Sequence, residues 1–193
     1  MADFRLLTPK RRNITAKVSS HGGHRDDLKI DFGNRCGYCN SPDRWKTTYF
    51  EIDHFIPVAI LTIKTPTDYS NLVYSCRSCN NAKRKKWPTK DENFPNKNEE
   101  GFIDPCDDLY NHQFGRNENG EIIYRTNLGK WMYYELKFHK PQHRVIWNLE
   151  QLEDSITEIK KLLKKSVIPE KLKDKIISTL IKYTDYVDDW RCL

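Results

Sequence analysis

The sequence predicts an α+β fold, with short strands and a helix in its first half and longer helices at its end. Residues 47–52 and 71–75 are rich in β-forming side chains and can pair as an antiparallel hairpin, with the polar residues 64–70 as the loop. Residues from Arg77 to about Trp87 favour a helix, which Pro88 would end. The predicted order is therefore strand, strand, helix.

The C-terminal segment has the periodicity of helices. Pro141 suits the first turn of a helix, and apolar residues then recur every three or four positions to about Lys165. Pro169 opens a second stretch with apolar residues on one face. We expect an antiparallel helical pair over residues 141–193.

The remaining segments are less regular. Residues 1–30 predict a polar N-terminal arm and a short helix that ends near Gly33. Residues 91–140 predict an irregular connector and a small mixed segment, with a hairpin around Asn119-Gly120 and a short helix over residues 129–138. Residues 31–90 form the predicted core, and we expect the C-terminal pair to join it in one compact unit.

Four cysteines form two Cys-x-x-Cys pairs, Cys36/Cys39 and Cys76/Cys79. Four thiolates are the ligands of a closed tetrahedral zinc site, which holds a fold together and leaves no position for water. Two disulfides or four free thiols are the alternatives, but a reducing compartment disfavours disulfides. The sequence therefore predicts a structural zinc, while Cys106 and Cys192 are expected to be plain thiols.

The overall composition fits a folded protein with a polyanionic partner. Hydrophobic residues make up 37% and charged residues 31% of 193 residues, and the formal net charge is +6 with a pI near 8.9. This charge alone does not separate a nucleic-acid binder from an ordinary basic protein. The N-terminus has no apolar signal region, and the longest apolar run, residues 58–63, is too short to span a bilayer. We expect a cytoplasmic protein that does not enter a membrane.

Four stretches occur in a characteristic order: Arg-Cys-Gly-Tyr-Cys at 35–39, Glu-Ile-Asp-His-Phe-Ile-Pro at 51–57, Asn-Leu-Val-Tyr-Ser-Cys at 71–76 and Cys-Asn-Asn-Ala-Lys at 79–83. In these stretches the chain resembles the zinc-supported branch of the HNH endonuclease family, whose active site is a ββα-metal finger. The last histidine of the family falls on Asn80, which is a departure from the usual pattern.

The resemblance implies a role for each matching residue. His54 would be the general base, Asp53 and Asn80 ligands of the catalytic metal, and Asn71 the brace of the loop that carries His54. Oxygen ligands suit Mg²⁺ or Mn²⁺, so Asn80 in place of histidine favours magnesium. A helix cap is the structural alternative for Asn80, and Asn81 competes with it as the ligand.

A basic run, Lys83-Arg84-Lys85-Lys86, follows the second cysteine pair. Lys83 lies one turn after Asn80, so we expect Lys83 and Arg84 to contact the phosphates of a bound strand. A solvated helix face is the alternative for part of this run. The remaining histidines have no such neighbours and are expected to be ordinary surface or core residues: His21, His24, His112, His139 and His143.

We therefore expect a metal-dependent endonuclease that cuts DNA by water attack, and the family resemblance implies that it leaves a 5′-phosphate and a 3′-hydroxyl. An RNase that uses the same residues, and a non-catalytic zinc module that binds nucleic acid or protein, are the alternatives. The chain also looks like the small stand-alone HNH nucleases that accompany ATPases in bacterial antiphage defence, so an ATPase or another defence protein is a possible partner.

Overall fold

The computed structural model describes residues 2–45, 49–164, 168 and 170–193. The chain forms two compact units, Met1–His139 and Lys140–Leu193. Among these described residues, the first unit contains the strands and four α-helices, and the second contains two long helices. The predicted joining of the C-terminal helices to the core in one unit stays a prediction.

The strands are β1 (Ala2–Asp3), β2 (Phe50–His54), β3 (Leu72–Cys76), β4 (Asn96–Lys97), β5 (Glu100–Gly101), β6 (Phe114–Arg116) and β7 (Ile122–Tyr124). The helices are α1 (Arg25–Asp31), α2 (Arg77–Lys83), α3 (Leu109–His112), α4 (Asn127–Glu135), α5 (Pro141–Leu163) and α6 (Glu170–Arg191). Short 3₁₀ turns include His21–His24 and Tyr69–Asn71.

The central strands β2 and β3 pair antiparallel, as the sequence predicts, and α2 follows β3 directly. Asp53 lies opposite Val73, and His54 lies opposite Leu72. Strand β2 therefore extends through Asp53 and His54, which the sequence placed just after it. Thr47 and Thr48, the first residues of the predicted strand, lie outside the described residues.

Helix α2 is shorter than predicted. We expected it to continue to about Trp87, but it ends at Lys83. The next residue, Arg84, has a φ of +49°, and its N–H still bonds the carbonyl of Asn80 at 2.8 Å. A left-handed residue cannot continue a right-handed helix, so Arg84 ends it four residues before Pro88.

The N-terminal arm is ordered by its contacts with the first unit. Strand β1 pairs with β6, and β6 pairs with β7 in the same sheet. Phe4 is buried against the rings of Tyr110 and Phe114. The guanidinium of Arg5 donates to the carbonyl oxygens of Gly37 and Pro105 at 3.1 and 2.5 Å. The arm is thus part of the core packing.

Two residues of the basic run at residues 10–12, Arg11 and Arg12, bond partners within the protein. Arg11 donates to the carbonyl of Leu72 at 2.7 Å and lies 2.9 Å from the carboxylate of Asp104. Arg12 lies 2.8 Å from Asp27 and also contacts Asp31. Arg11 thereby attaches the arm to the first residue of β3.

The first cysteine pair packs directly on the hairpin. The N–H of Gly37 donates to the carbonyl of Tyr74 at 2.8 Å. A Cβ atom at position 37 would lie 2.6 Å from the Phe32 ring and 2.8 Å from the Val73 side chain. The turn between Cys36 and Cys39 therefore approaches β3 more closely than any residue with a side chain allows.

The peripheral elements agree with the sequence in type and differ in their ends. Helix α1 covers Arg25–Asp31 and is followed by Gly33 with a φ of +59°. Strands β6 and β7 pair antiparallel on either side of Asn119-Gly120, as predicted. Helix α4 lies at Asn127–Glu135, two residues before its predicted start at Gly129.

The second unit consists of the two predicted helices. Helix α5 begins at Pro141, and α6 covers Glu170–Arg191. They pack through a small apolar cluster of Ile156, Ile159 and Ile176. Lys165 and Pro169, the predicted end and start of these helices, lie outside the described residues. Among the described residues, no helix combines the length and apolar character that crossing a bilayer requires.

Candidate functional site

Asp53, near the end of β2, is a buried carboxylate. Asp53 is 7% exposed, and its Oδ2 accepts a hydrogen bond from the Tyr38 hydroxyl at 2.6 Å. The ammonium of Lys83 lies 3.2 Å from the same oxygen. Burial raises the pKa of the Asp53 carboxyl, and Lys83 and Tyr38 oppose that rise. Tyr38 belongs to the first cysteine pair, so this contact joins Asp53 to the cysteine region.

Lys83 is a buried residue at the centre of the site. Its ammonium donates to the carbonyl of His54 at 2.9 Å and lies 5.6 Å from the centre of the Phe102 ring. The side chain is 0% exposed, and burial lowers its pKa while Asp53 opposes that shift. The expectation that Lys83 contacts a phosphate does not fit this placement, because its ammonium faces the protein interior. Arg84 is exposed and remains available for such a contact.

Polar residues of α2 face polar residues of β2. Arg77, Asn80 and Lys83 recur at every third position of the helix and so share one side of it. On the strand, Glu51 and Asp53 are two residues apart and share one face. Arg77 Nε lies 3.6 Å from Glu51, and Lys83 pairs with Asp53. Two ion pairs thus align the helix with the strand.

Asn80 lies between these two ion pairs. Its Nδ2 donates to Glu51 Oε2 at 2.7 Å. Because a carboxylate only accepts hydrogen bonds, the amino end of the Asn80 amide faces Glu51 and the oxygen faces away. The residue that caps the start of α2 is Cys76, so the alternative of a helix cap for Asn80 is wrong. Asn81 is exposed.

The orientation of His54 is set by a backbone carbonyl. His54 Nε2 lies 2.7 Å from the carbonyl oxygen of Pro66. A carbonyl only accepts, so Nε2 carries the proton in the neutral ring and Nδ1 has the free electron pair. The imidazole is partly exposed, which leaves it open to water. His54 can therefore accept a proton at Nδ1.

His21 is a neighbour of His54 that sequence reasoning missed. The 3₁₀ turn His21–His24 brings its ring edge-on to the His54 ring, with centroids 4.7 Å apart. Burial and the proximity of His54 lower the pKa of His21, so its neutral form is favoured. The two residues are far apart in sequence, and no spacing rule signals the contact.

Asn71 is fully buried and bonds the backbone just after His54. Its Oδ1 accepts from the Ile56 N–H at 2.8 Å, and its Nδ2 donates to the Ile56 carbonyl at 2.9 Å. Its own carbonyl accepts from the Phe55 N–H at 2.8 Å. The structure therefore places Asn71 against the chain that follows His54, and these bonds fix how the chain leaves β2.

The four paired cysteines lie together. Their Sγ atoms are all within 4.8 Å of one another, and Cys39 Sγ and Cys76 Sγ are 3.8 Å apart. Four sulfur ligands at about 2.3 Å from a tetrahedral zinc lie about 3.8 Å from one another, so the cluster fits that ion. Neighbouring thiols, Cys36 first, raise the pKa of Cys76. The predicted clustering of the cysteines is confirmed.

Two of these contacts had a signal in the sequence that the predictions did not use. Tyr38 lies within the first cysteine pair, and Glu51, near the end of the predicted strand, is two residues before Asp53. Shared strand faces and helix faces are visible in a sequence. Which strand face packs against which helix face is visible only in the folded structure.

We expect Lys83→Met to lower the free energy of unfolding by about 3 to 5 kcal/mol, because it leaves the buried carboxylate of Asp53 without its cation. Lys85→Met is the matched control: Lys85 is exposed two residues later, and its replacement should change stability by less than about 0.5 kcal/mol. Urea unfolding followed by circular dichroism measures both. Equal stability of the two variants would show that the buried pair does not form.

One protein family, described as HNH endonuclease, has a model that matches residues 36–86. No curated protein and no solved structure matches the chain. The matched residues include both cysteine pairs, the hairpin of β2 and β3, and helix α2, whereas the N-terminal arm and everything after residue 86 lie outside them. Residues 36–86 are therefore similar to the HNH endonuclease family.

Proposed function

We propose that the protein is a metal-dependent endonuclease that hydrolyses phosphodiester bonds of DNA, with His54 as the general base. One observation carries the proposal. Lys83 contacts both the carboxylate of Asp53 and the backbone carbonyl of His54, and Asn80 on the same side of α2 bonds Glu51 on the same face of β2 as Asp53. A module that only bound nucleic acid would have no need of a base beside two oxygen ligands.

His54 supports a water-attack mechanism. With Nε2 bonded to Pro66, Nδ1 takes a proton from water, and the oxygen of that water forms a new bond to phosphorus. The bond from phosphorus to the 3′ oxygen breaks, and that oxygen takes up a proton from solvent. The products are a 5′-phosphate and a 3′-hydroxyl.

The oxygens of Asp53 and Asn80 are suited to a hard divalent cation. Asp53 Oδ2 is bonded by Tyr38 and Lys83, while no described residue donates to Asp53 Oδ1 or to Asn80 Oδ1. These two oxygens would hold Mg²⁺ or Mn²⁺ with water completing the coordination. When bound, the cation stabilises negative charge on the phosphate and on the departing oxygen.

A structural zinc at Cys36, Cys39, Cys76 and Cys79 completes the proposed ββα-metal finger. Four cysteine ligands leave no open coordination position, so this site supports the fold and takes no part in hydrolysis. Tyr38 lies between two of these cysteines and donates to Asp53. Loss of zinc would therefore disturb the carboxylate as well as the fold.

The proposed setting is bacterial antiphage defence in the cytoplasm, with an ATPase or another defence protein as partner. It rests on the resemblance in general layout to small stand-alone nucleases of that kind.

The test of the function is cleavage by the purified full chain. Plasmid, single-stranded DNA and RNA are incubated separately with Mg²⁺, and products are resolved on gels. We expect cleavage of DNA, and His54→Ala should abolish it while leaving folding and DNA binding intact, because only the base is lost. His112→Ala, a change at an exposed histidine, is the matched control. Full activity of His54→Ala would exclude His54 as the base, and cleavage of RNA alone would establish the RNase alternative.

Asn80→Ala should raise the Mg²⁺ concentration needed for half-maximal cleavage and lower the maximal rate, because it removes one oxygen ligand. Asn81→Ala should change neither by more than about twofold, since Asn81 is exposed. Asn80→His restores a stronger nitrogen ligand and should shift the preference toward Mn²⁺. Direct Mn²⁺ binding, followed by electron paramagnetic resonance, should weaken in Asn80→Ala. Normal cleavage by Asn80→Ala at limiting Mg²⁺ would exclude Asn80 as a ligand.

Cys39→Ser should lower the zinc content, the stability and the cleavage activity together, because zinc binding and folding are coupled. Cys192→Ser, at an exposed cysteine outside the cluster, is the control and should keep all three. Elemental analysis of freshly purified protein measures the metal, and thermal unfolding measures stability. Wild-type protein purified without zinc would contradict the assignment.

A further inference from the structure

The orientation of His54 depends on where the carbonyl of Pro66 lies. Pro66 belongs to the loop that joins β2 to β3, and this loop has no strand or helix of its own between residues 61 and 68. A turn bond from the Asp68 N–H to the Thr65 carbonyl, at 3.1 Å, spans Pro66, so the position of the Pro66 carbonyl depends on this turn and on what attaches the turn to the rest of the protein. The bond of 2.7 Å from His54 Nε2 to this carbonyl therefore forms only while the loop keeps this conformation.

A single carboxylate holds the loop just before Pro66. Glu92 Oε2 accepts from the Thr62 hydroxyl at 2.8 Å, from the Thr62 N–H at 2.5 Å and from the Ile63 N–H at 2.7 Å. Glu92 Oε1 accepts from the Lys64 N–H at 3.0 Å. Three consecutive residues are thus bonded to one charged side chain, and hydrogen bonds to a charge are the strong ones.

Glu92 is also linked to His54 through a second set of contacts, which involves Trp87. The indole N–H of Trp87 donates to the carbonyl of Asp91, the residue before Glu92, at 2.8 Å. The Trp87 ring packs edge-on against the Phe55 ring at 5.3 Å, and Phe55 directly follows His54. The carboxylate and the histidine are therefore linked through Trp87 as well as through the loop.

The charge of Glu92 is suited to this task. Only 8% of the residue is exposed, and the bonds from the backbone, Thr62 first, lower the pKa of Glu92 to about 2. A lowered pKa means that the carboxylate is ionised at neutral pH and that its contribution is lost only as the pH falls toward that value. Near neutral pH both carboxylate oxygens of Glu92 therefore accept hydrogen bonds from residues 62–64.

We propose that Glu92 is a positioning residue for His54: by clamping residues 62–64 it places the Pro66 carbonyl that orients the imidazole. That His54 is the base rests on the proposed function, whereas the clamp and the orientation are properties of the fold. Glu92 lies outside the matched domain, in the segment that the sequence predicted to be an irregular connector. This connector thereby supplies part of the site.

The geometry is tested without cleavage, by nuclear magnetic resonance of the full chain labelled with ¹⁵N-histidine. Long-range ¹H–¹⁵N correlations distinguish the two neutral forms of an imidazole, and the His54 signal is assigned with His54→Gln. We expect the Nε2–H form in the wild type and an increased Nδ1–H fraction in Glu92→Gln, because a glutamine presents an amino group to N–H donors. Glu100→Gln, a change at an exposed carboxylate in the same connector, should leave the spectrum unchanged.

Cleavage by the same variants tests the consequence. Glu92→Gln should lower kcat by about tenfold to a hundredfold, which is the cost of a misplaced catalytic group, with the KM for DNA and the Mg²⁺ requirement unchanged. Thr62→Val removes only the hydroxyl bond to Glu92 and should lower kcat by about twofold to threefold. A clamp with a purely structural role would lower the melting temperature and leave both the His54 form and kcat as in the wild type, and that result overturns the proposal.

Two wild-type measurements decide the case even if Glu92→Gln does not fold. The amide protons of Ile63 and Lys64 should exchange slowly with solvent, since both are bonded to Glu92. Fast exchange of both, or a wild-type His54 in the Nδ1–H form, overturns the proposal. If the wild type cleaves no nucleic acid, the proposed function fails, while the histidine form and the exchange rates still decide whether the clamp orients His54.

Discussion

The buried ion pair between Lys83 and Asp53 is the interaction on which the geometry of the site depends. It joins the last residue of α2 to the end of β2, and the same ammonium holds the carbonyl of His54. A buried pair adds little net stability compared with apolar side chains of similar size, but either partner alone is strongly unfavourable. The pair therefore acts mainly on register, because a rotation of α2 or a slip of β2 by one residue would separate two buried charges.

Neighbouring contacts also hold α2 and the first cysteine pair in place against β2. Glu51 holds the amino end of Asn80, and Tyr38 holds the oxygen of Asp53 that also meets Lys83. Tyr38 and Asn80 are each next to a clustered cysteine, Cys39 and Cys79. A cation that binds the four sulfurs would thus help to hold Tyr38 and Asn80 in place. The cysteine site and the proposed catalytic metal site would then be coupled through these two side chains.

The sequence predicts the parts of this site that are local. The cysteine spacing predicts the cluster, β-forming runs predict the hairpin, and the period of apolar residues predicts the two helices α5 and α6. It does not predict contacts between segments that are far apart in the chain. A run of four basic residues is normally solvated, so nothing local indicates that the first of them is buried. The clamp by Glu92 joins residues about 30 positions apart and has no local signal either. Arg84, with its positive φ, ends α2 early, and nothing local predicts this because arginine favours helices.

The missing side chain of Gly37 sets the separation between the cysteine cluster and the hairpin. Phe32 and Val73 already fill the volume that a Cβ atom would need, and Gly37 bonds the backbone of β3 at the level of Tyr74. An alanine here would clash with both side chains, so the turn that carries Cys36 and Cys39 would have to move relative to the hairpin that carries Cys76, and the spacing of the sulfurs would change. Position 37, between the two cysteines of the first pair, therefore accepts only glycine. The absence of a side chain there determines how closely the sulfur ligands approach one another.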